Sequence, residues 1–197
     1  MPAAARKITE ADIVPMAQYA KERAERRRAL LPTKKLRRVE VGPYATFYFE
    51  SFETMLLQVQ EMLYIEKGGP EQLADELRAY NPLIPQGSEL IATVMFEIDD
   101  PIRRKNILQR LTGVEETIFL DIGGVRIKAQ SETEVDRTDE DGKTSSIHFV
   151  RFAIPDAVKA RFRDSATAIT IGFNHENYGH LAMLQPATRA ELAKDFG

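Results

Sequence analysis

Hydrophobic residues in this chain keep two periods, and residues 41–67 pass from one to the other. Ala45-Thr46-Phe47-Tyr48-Phe49 has the β-branched and aromatic content of a strand, and Ser51 can cap the helix that follows. At 100° per residue Phe52, Met55, Leu56, Val59, Met62 and Leu63 share one stripe, which predicts a helix laid on a sheet. Thr54, Leu57, Glu61, Tyr64 and Ile65 form a second stripe centred on Glu61, so this helix is expected to be buried on two sides.

The same reading orders the rest of the chain. Thr9 followed by Glu10 and Asp12 marks a helix start, and Pro15 opens a helix expected to run to about Leu31. Its apolar stripe of Met16, Tyr19 and Leu30 is thin, Pro32 should stop it, and residues 34–41 alternate as an exposed strand. After Gly68-Gly69, Pro70 and Glu71 open a helix with Leu73, Leu77 and Tyr80 on one face, which Asn81-Pro82 must leave. Residues 82–88 read as an irregular but ordered loop. Leu90 to Ile98 is apolar on both faces, the pattern of a central strand. Asp100 and Pro101 open a short helix closed by Gly113.

Residues 118–122 and 125–129 flank Gly123-Gly124 as a hairpin, with Asp121 opposite Arg126. The second strand is expected to continue through Glu132, Glu134 and Asp136, turn near Asp141-Gly142 and return over residues 145–154. A helix from Pro155, a strand over 167–173 and a terminal helix from Pro186 complete the chain. The expected fold is a single α+β domain over residues 1–197, an antiparallel, meander-rich sheet of about six or seven strands with helices packed on it. Within it, residues 1–35 form a helical basic arm and residues 36–197 a sheet-helix body.

Composition sharpens that division. Residues 1–38 hold 11 Lys and Arg against 4 Asp and Glu, leaving 16 against 26 for the rest: a basic arm at +7 on an acidic body at −10. The chain has no cysteine, which excludes disulfides, thiolate catalysis and thiolate-held metal within it. No apolar run approaches the length of a membrane span, and the expected compartment is the cytoplasm.

Candidate chemistry begins with Glu61. Between apolar neighbours its pKa would rise, making it an acid, a base or a ligand, unless a cation from elsewhere pairs with it. With Leu57, Tyr64 and Asn81 it defines a candidate pocket bordered by the 81–85 loop. His175, Glu176 and His180 carry imidazole and carboxylate chemistry that suits zinc, iron or manganese, although their spacing matches no established metal motif. His148 shares strand parity with Val150 and Phe152 and reads as a core histidine. Residues 139–142 read as a hairpin turn instead of a calcium loop, because Arg137 would take the first ligand position. Arg26, Arg27, Arg28, Lys34, Lys35 and Arg37 form a candidate interaction surface. Glu22, Glu25 and the acidic body disfavour nucleic acid as its partner.

Several stretches also carry a resemblance. Ile8-Thr9-Glu10-Ala11-Asp12-Ile13, Arg37-Arg38-Val39 with Val41-Gly42-Pro43, Phe49-Glu50, Gln58-Val59-Gln60-Glu61-Met62-Leu63, Tyr80-Asn81-Pro82-Leu83-Ile84-Pro85 and residues 187–195 together resemble domain-of-unknown-function family 3501 of bacteria. The resemblance transfers no catalytic residue. The family's gene neighbours, rubrerythrin and an iron-sulfur oxidoreductase subunit, imply an accessory role in redox defence. Three readings follow: a non-enzymatic accessory or interaction protein without a cofactor, with homodimerisation its simplest form; a metal-binding protein or enzyme joining Glu61 to the 175–180 segment; and nucleic-acid binding through the arm.

Overall fold

The computed structural model describes residues 6–131 and 143–197. The basic segment becomes helix α1 (Met16–Leu36), followed by strands β1 (Arg38–Val41) and β2 (Ala45–Phe49) and helices α2 (Phe52–Glu66) and α3 (Gly69–Tyr80). Strand β3 (Glu89–Phe96) and helix α4 (Pro101–Gln109) precede β4 (Ile118–Ile122), β5 (Val125–Lys128) and β6 (Gln130–Ser131). Strand β7 (Ile147–Ala153), helix α5 (Asp156–Arg163), strands β8 (Ile169–Phe173) and β9 (Leu181–Met183) and helix α6 (Pro186–Leu192) close the chain.

The strands divide between two antiparallel sheets, one ordered β1-β2-β3-β7-β6 and the other β5-β4-β8-β9, in a single α+β domain. Alternation decides what each face meets. Phe47, Phe49, Leu90, Val94, Phe96, Val150 and Phe152 leave one face of the first sheet and pack against Ile118, Leu120, Ile122, Ile171 and Phe173 of the second. Ile91 and Phe149 leave its other face to meet Met55, Val59 and Leu63 of α2. Strand β3, buried on both faces and paired with β2 and β7, is the central strand that its two apolar parities predict. The 123–124 hairpin forms with Asp121 opposite Arg126, although Asp121 accepts from the Gly124 N–H at 2.9 Å and Arg126 lies over the Phe119 ring. His148 is a core residue, its Nε2 2.8 Å from the Ser145 carbonyl oxygen. The expected extension through 132–136 and the turn near 141–142 lie outside the described residues.

Two expectations around Pro32 are corrected. The helix runs through Pro32 to Leu36, and the following strand starts only at Arg38, with Val39 and Val41 buried. Pro32 is exposed, so the carbonyl that loses its N–H partner faces the solvent side, where the break costs least. Lys34 and Lys35 then occupy the last helical turn, which the macrodipole favours.

Arg37, read from sequence as an interaction residue, is instead 2% exposed. Its Nε donates to the Phe49 carbonyl at 3.1 Å and its Nη2 to the Glu50 carbonyl at 2.8 Å. The same guanidinium pairs with Glu191 at 3.4 Å and with Asp195. Burial pushes the Asp195 carboxyl up to about 7, against the pull of Arg37. Arg37 thus ties the end of α1 to the β2–α2 junction and to the C-terminal segment. Truncating one member of such a buried group leaves uncompensated charge behind. Arg37→Met is expected to destabilise the fold by about 3 to 5 kcal/mol in urea titrations at neutral pH; a loss under about 1 kcal/mol would contradict the tie.

Candidate functional site

Helix α2 packs on both of the sides that its stripes predict, except that Ile65 of the second stripe is exposed and Leu57, Glu61 and Tyr64 are half-buried. One packs on the sheet; the other carries Leu57, Glu61 and Tyr64 towards α1. Arg23 Nε and Nη2 reach the two Glu61 oxygens, each at 2.8 Å, while the buried Tyr19 hydroxyl donates to Oε1 and Arg27 stands at 4.0 Å. Arg23 also lies over the Tyr64 ring, 5.0 Å from its centroid. The bidentate Arg23 bonds hold the Glu61 carboxyl below its ordinary range despite its burial. Of the two fates open to Glu61 in the sequence, the structure shows the paired one.

Asn81 is not beside it. Asn81 receives the Ile8 N–H at 2.7 Å and returns a bond to the Ile8 carbonyl at 3.0 Å. Gln60 does the same for Val14, at 2.8 and 3.0 Å, and Gln86 holds the Arg6 carbonyl at 2.8 Å. Three side-chain amides therefore clamp the N-terminal backbone, and Glu61 completes the fastening at α1.

The 175–180 residues lie in another layer. His175 Nε2 is 3.2 Å from the Thr112 carbonyl, Glu176 is exposed, and the His180 ring packs on Tyr178 with centroids 4.6 Å apart. Among the described residues no three His, Asp or Glu side chains converge as a metal site. The first sheet separates this segment from Glu61, so the pocket that would join them does not form. Arg26, Arg27, Arg28, Lys34 and Lys35 are exposed on α1.

The structure does assemble a cavity, around a residue that strand parity could have singled out. Thr46, Tyr48 and Glu50 share the face of β2 that α2 covers, and α2 starts only at Phe52, so the Glu50 carboxyl falls beneath the helix N-terminus. Ser51 and Thr54 close a reciprocal cap: the Ser51 N–H donates to Thr54 Oγ1 at 2.8 Å, and the Thr54 N–H donates to Ser51 Oγ at 3.3 Å. Thr54 Oγ1 then lies 2.7 Å from Glu50 Oε2, and Thr93 Oγ1 of β3 lies 2.7 Å from Oε1. Glu50 is 8% exposed and, among the described residues, no cation pairs with its carboxyl. Burial raises its pKa, opposed by the two hydroxyls and by Lys34 and Arg37.

A neutral carboxyl fits this bonding well. Thr54 Oγ1 is also 3.1 Å from the Ser51 carbonyl; with its proton donated there, it can accept one from Glu50. Above the carboxyl opens a cavity of about 360 Å³, at the small end of ligand sites. Its floor is a row across the sheet, Tyr48 opposite Thr93 opposite Phe149, beside Met95 opposite Ile147. Met55 and Gln58 of α2, with Tyr80 and Leu83, form one wall, and Lys34 stands at the rim. The 58–63 and 80–85 stretches of the resemblance thus contribute Gln58, Tyr80 and Leu83 to the cavity and Gln60, Glu61 and Asn81 to the fastening of the arm.

The two carboxylates predict opposite pH dependences. Glu61, with a lowered pKa, adds stability above its unfolded pKa that is lost as pH falls through the folded one; Glu61→Gln should cost stability at pH 7, cost less in acid, and speed trypsin cleavage at the exposed Arg26-Arg27-Arg28 run. Glu50, with a raised pKa, adds stability that is lost as pH rises through its folded value, so Glu50→Gln should gain on the wild type as pH rises. Urea midpoints of both variants from pH 4 to pH 9 check this, and parallel pH profiles would contradict it.

The family model described as "Protein of unknown function (DUF3501)" matches residues 7–196. Among solved structures, a protein of unknown function from Burkholderia pseudomallei K96243, known from a 1.90 Å crystal structure, is similar at 34% identity and a TM-score of 0.89, covering 97% of this chain and 100% of that one. Among curated proteins none matches the chain. With nearly its whole length matched and its fold shared at that identity, the chain belongs to the DUF3501 family of proteins of unknown function.

Proposed function

We propose that the protein is a cytoplasmic accessory protein that binds a small, largely apolar molecule bearing one polar group in the Glu50 cavity. One observation carries the reading: a buried carboxyl that, among the described residues, has no ion-pair partner forms the base of an open, mostly apolar cavity. A side chain that is costly to bury is commonly found where it meets a ligand. The walls suit a body of roughly ten heavy atoms, with Met55 and Met95 adaptable enough to accept more than one shape. Fragments of that size should shift the methyl resonances of Met55, Met95 and Thr93 in carbon-13 spectra, and Phe149→Ala should alter which fragments do so. Fragments that leave all three unmoved would overturn the reading.

A second reading rests on α1, a 21-residue helix whose one buried residue is Tyr19. Its exposed Arg26, Arg27, Arg28, Lys34 and Lys35 suit an acidic partner protein or the acidic body of a second copy. The accessory role in redox defence implied by the family resemblance would be exercised through such a surface. Sedimentation at low and high salt tests the homodimer: a dimer that dissociates with salt and with Arg27→Glu/Lys35→Glu supports it, and a monomer at both salts contradicts it.

A further inference from the structure

Resting on the cavity reading, the groups around Glu50 narrow the class of ligand. The charged groups on that side are few. Arg37 borders the cavity, but its donors are engaged by two carbonyl oxygens and by Glu191 and Asp195, so much of its charge is already met. Lys34 is exposed at the rim, in water that screens it. Glu97, beyond the far end, is occupied by Thr46 and Tyr48 hydroxyls at 2.6 Å each and by Arg38 at 3.5 Å. The remaining polar groups that line the cavity are the Glu50 carboxyl, the Thr93 hydroxyl bonded to it, and Gln58, whose amide nitrogen lies 3.5 Å from the Tyr80 hydroxyl; of these the carboxyl is the strongest acceptor. The rings of Tyr48, Tyr80 and Phe149 add aromatic surface to the same space.

An ammonium group has three donors and no acceptor, and is attracted both to a carboxylate and to ring faces. We infer that the cavity binds a primary amine with a compact apolar body, its ammonium seated on Glu50 and its hydrocarbon between α2 and the Phe149 side of the sheet. A carboxylate ligand would instead meet the Glu50 carboxyl, with Lys34 exposed at the rim and Arg37 already engaged by its own carboxylates. Where Glu50 is neutral in the free protein, the step balances simply. The ammonium enters, the Glu50 O–H bond breaks, its proton passes to solvent, and an ion pair replaces the neutral acid.

Three probes of matched shape test the class: phenethylamine, phenethyl alcohol and 3-phenylpropionate, titrated calorimetrically in two buffers of different ionisation enthalpy, with methyl shifts of Met55 and Met95 locating the site. The amine should bind most tightly, with release of a proton that falls away as pH rises and the free carboxyl ionises. Glu50→Gln should weaken the amine by about 100-fold while leaving the alcohol within about threefold. Lys34→Gln, at an exposed position outside the packed core, should tighten the amine about two- to fivefold by removing a like charge at the rim. It keeps the test open if Glu50→Gln fails to fold. Binding of the alcohol or the carboxylate at these methyls in preference to the amine, or amine binding unchanged by Lys34→Gln without proton release, overturns the amine class and leaves the cavity reading standing. If none of the three moves those methyls, the cavity reading itself falls, and this inference with it.

Discussion

The structure depends on one buried cation. Arg37 ends α1 and sits where three distant parts of the chain meet: its own helix, the β2–α2 junction through the Phe49 and Glu50 carbonyls, and the C-terminal segment through Glu191 and Asp195. A guanidinium can do this because its donors lie in one plane and fan outward, so one charge satisfies carbonyls on one side and carboxylates on the other. Lysine has the charge but not the fan. The consequence for the site is direct. The Glu50 carbonyl is fixed by Arg37 and the Glu50 N–H by the Ile91 carbonyl at 2.8 Å, so the Glu50 side chain leaves a backbone held on both sides.

Around that point the layering follows from strand parity. Odd-numbered residues of β2 and even-numbered residues of β3 go to the core between the sheets, and the opposite parities go to the helical side. On the helical side α2 covers the sheet around Ile91, and the row through Tyr48, Thr93 and Phe149 is left as the cavity floor. A helix laid across a wider sheet leaves an uncovered margin, and here the margin is half apolar and half hydroxyl-bearing. That mixture is what a ligand with a polar end and an apolar body would need.

What was legible in the sequence was local. The 123–124 hairpin, the two stripes of α2 and the two-faced β3 follow from spacing and turn chemistry within a few residues, whereas Asn81, expected to leave the helix before Pro82, keeps helical dihedrals and the chain tightens into a 3-10 turn over Asn81–Leu83. Pro32 predicts a stop, whereas an exposed proline in a helix held at its far end by Arg37 is only a break in one hydrogen bond. The sites were less legible because their partners are far apart in sequence. Glu61 looked isolated among apolar neighbours, and its partner Arg23 lies 38 residues away on an element whose own apolar stripe gave little sign of docking. Glu50 escaped notice for the reverse reason: its strand parity was visible, but the depth of its burial depends on where α2 begins and on Thr93 approaching from a strand 43 residues later.

The arm and the cavity are one construction. Arg6, Ile8 and Val14 are held through backbone groups by Gln86, Asn81 and Gln60, so the fastening is indifferent to the side chains it holds and specific to an extended backbone passing at that distance. The ion pair at Glu61 then sets the position of α1 along α2. Lys34 and Arg37 lie at the far end of that same helix and border the cavity, so the position of α1 sets that part of its rim. A change in how α1 sits, whether from a partner on its basic face or from a ligand beneath its last turn, must be felt at the other end of a helix of 21 residues. The exposed basic side of α1 and the cavity rim at Lys34 share one element, so on the readings proposed above an occupant of either would bias the other.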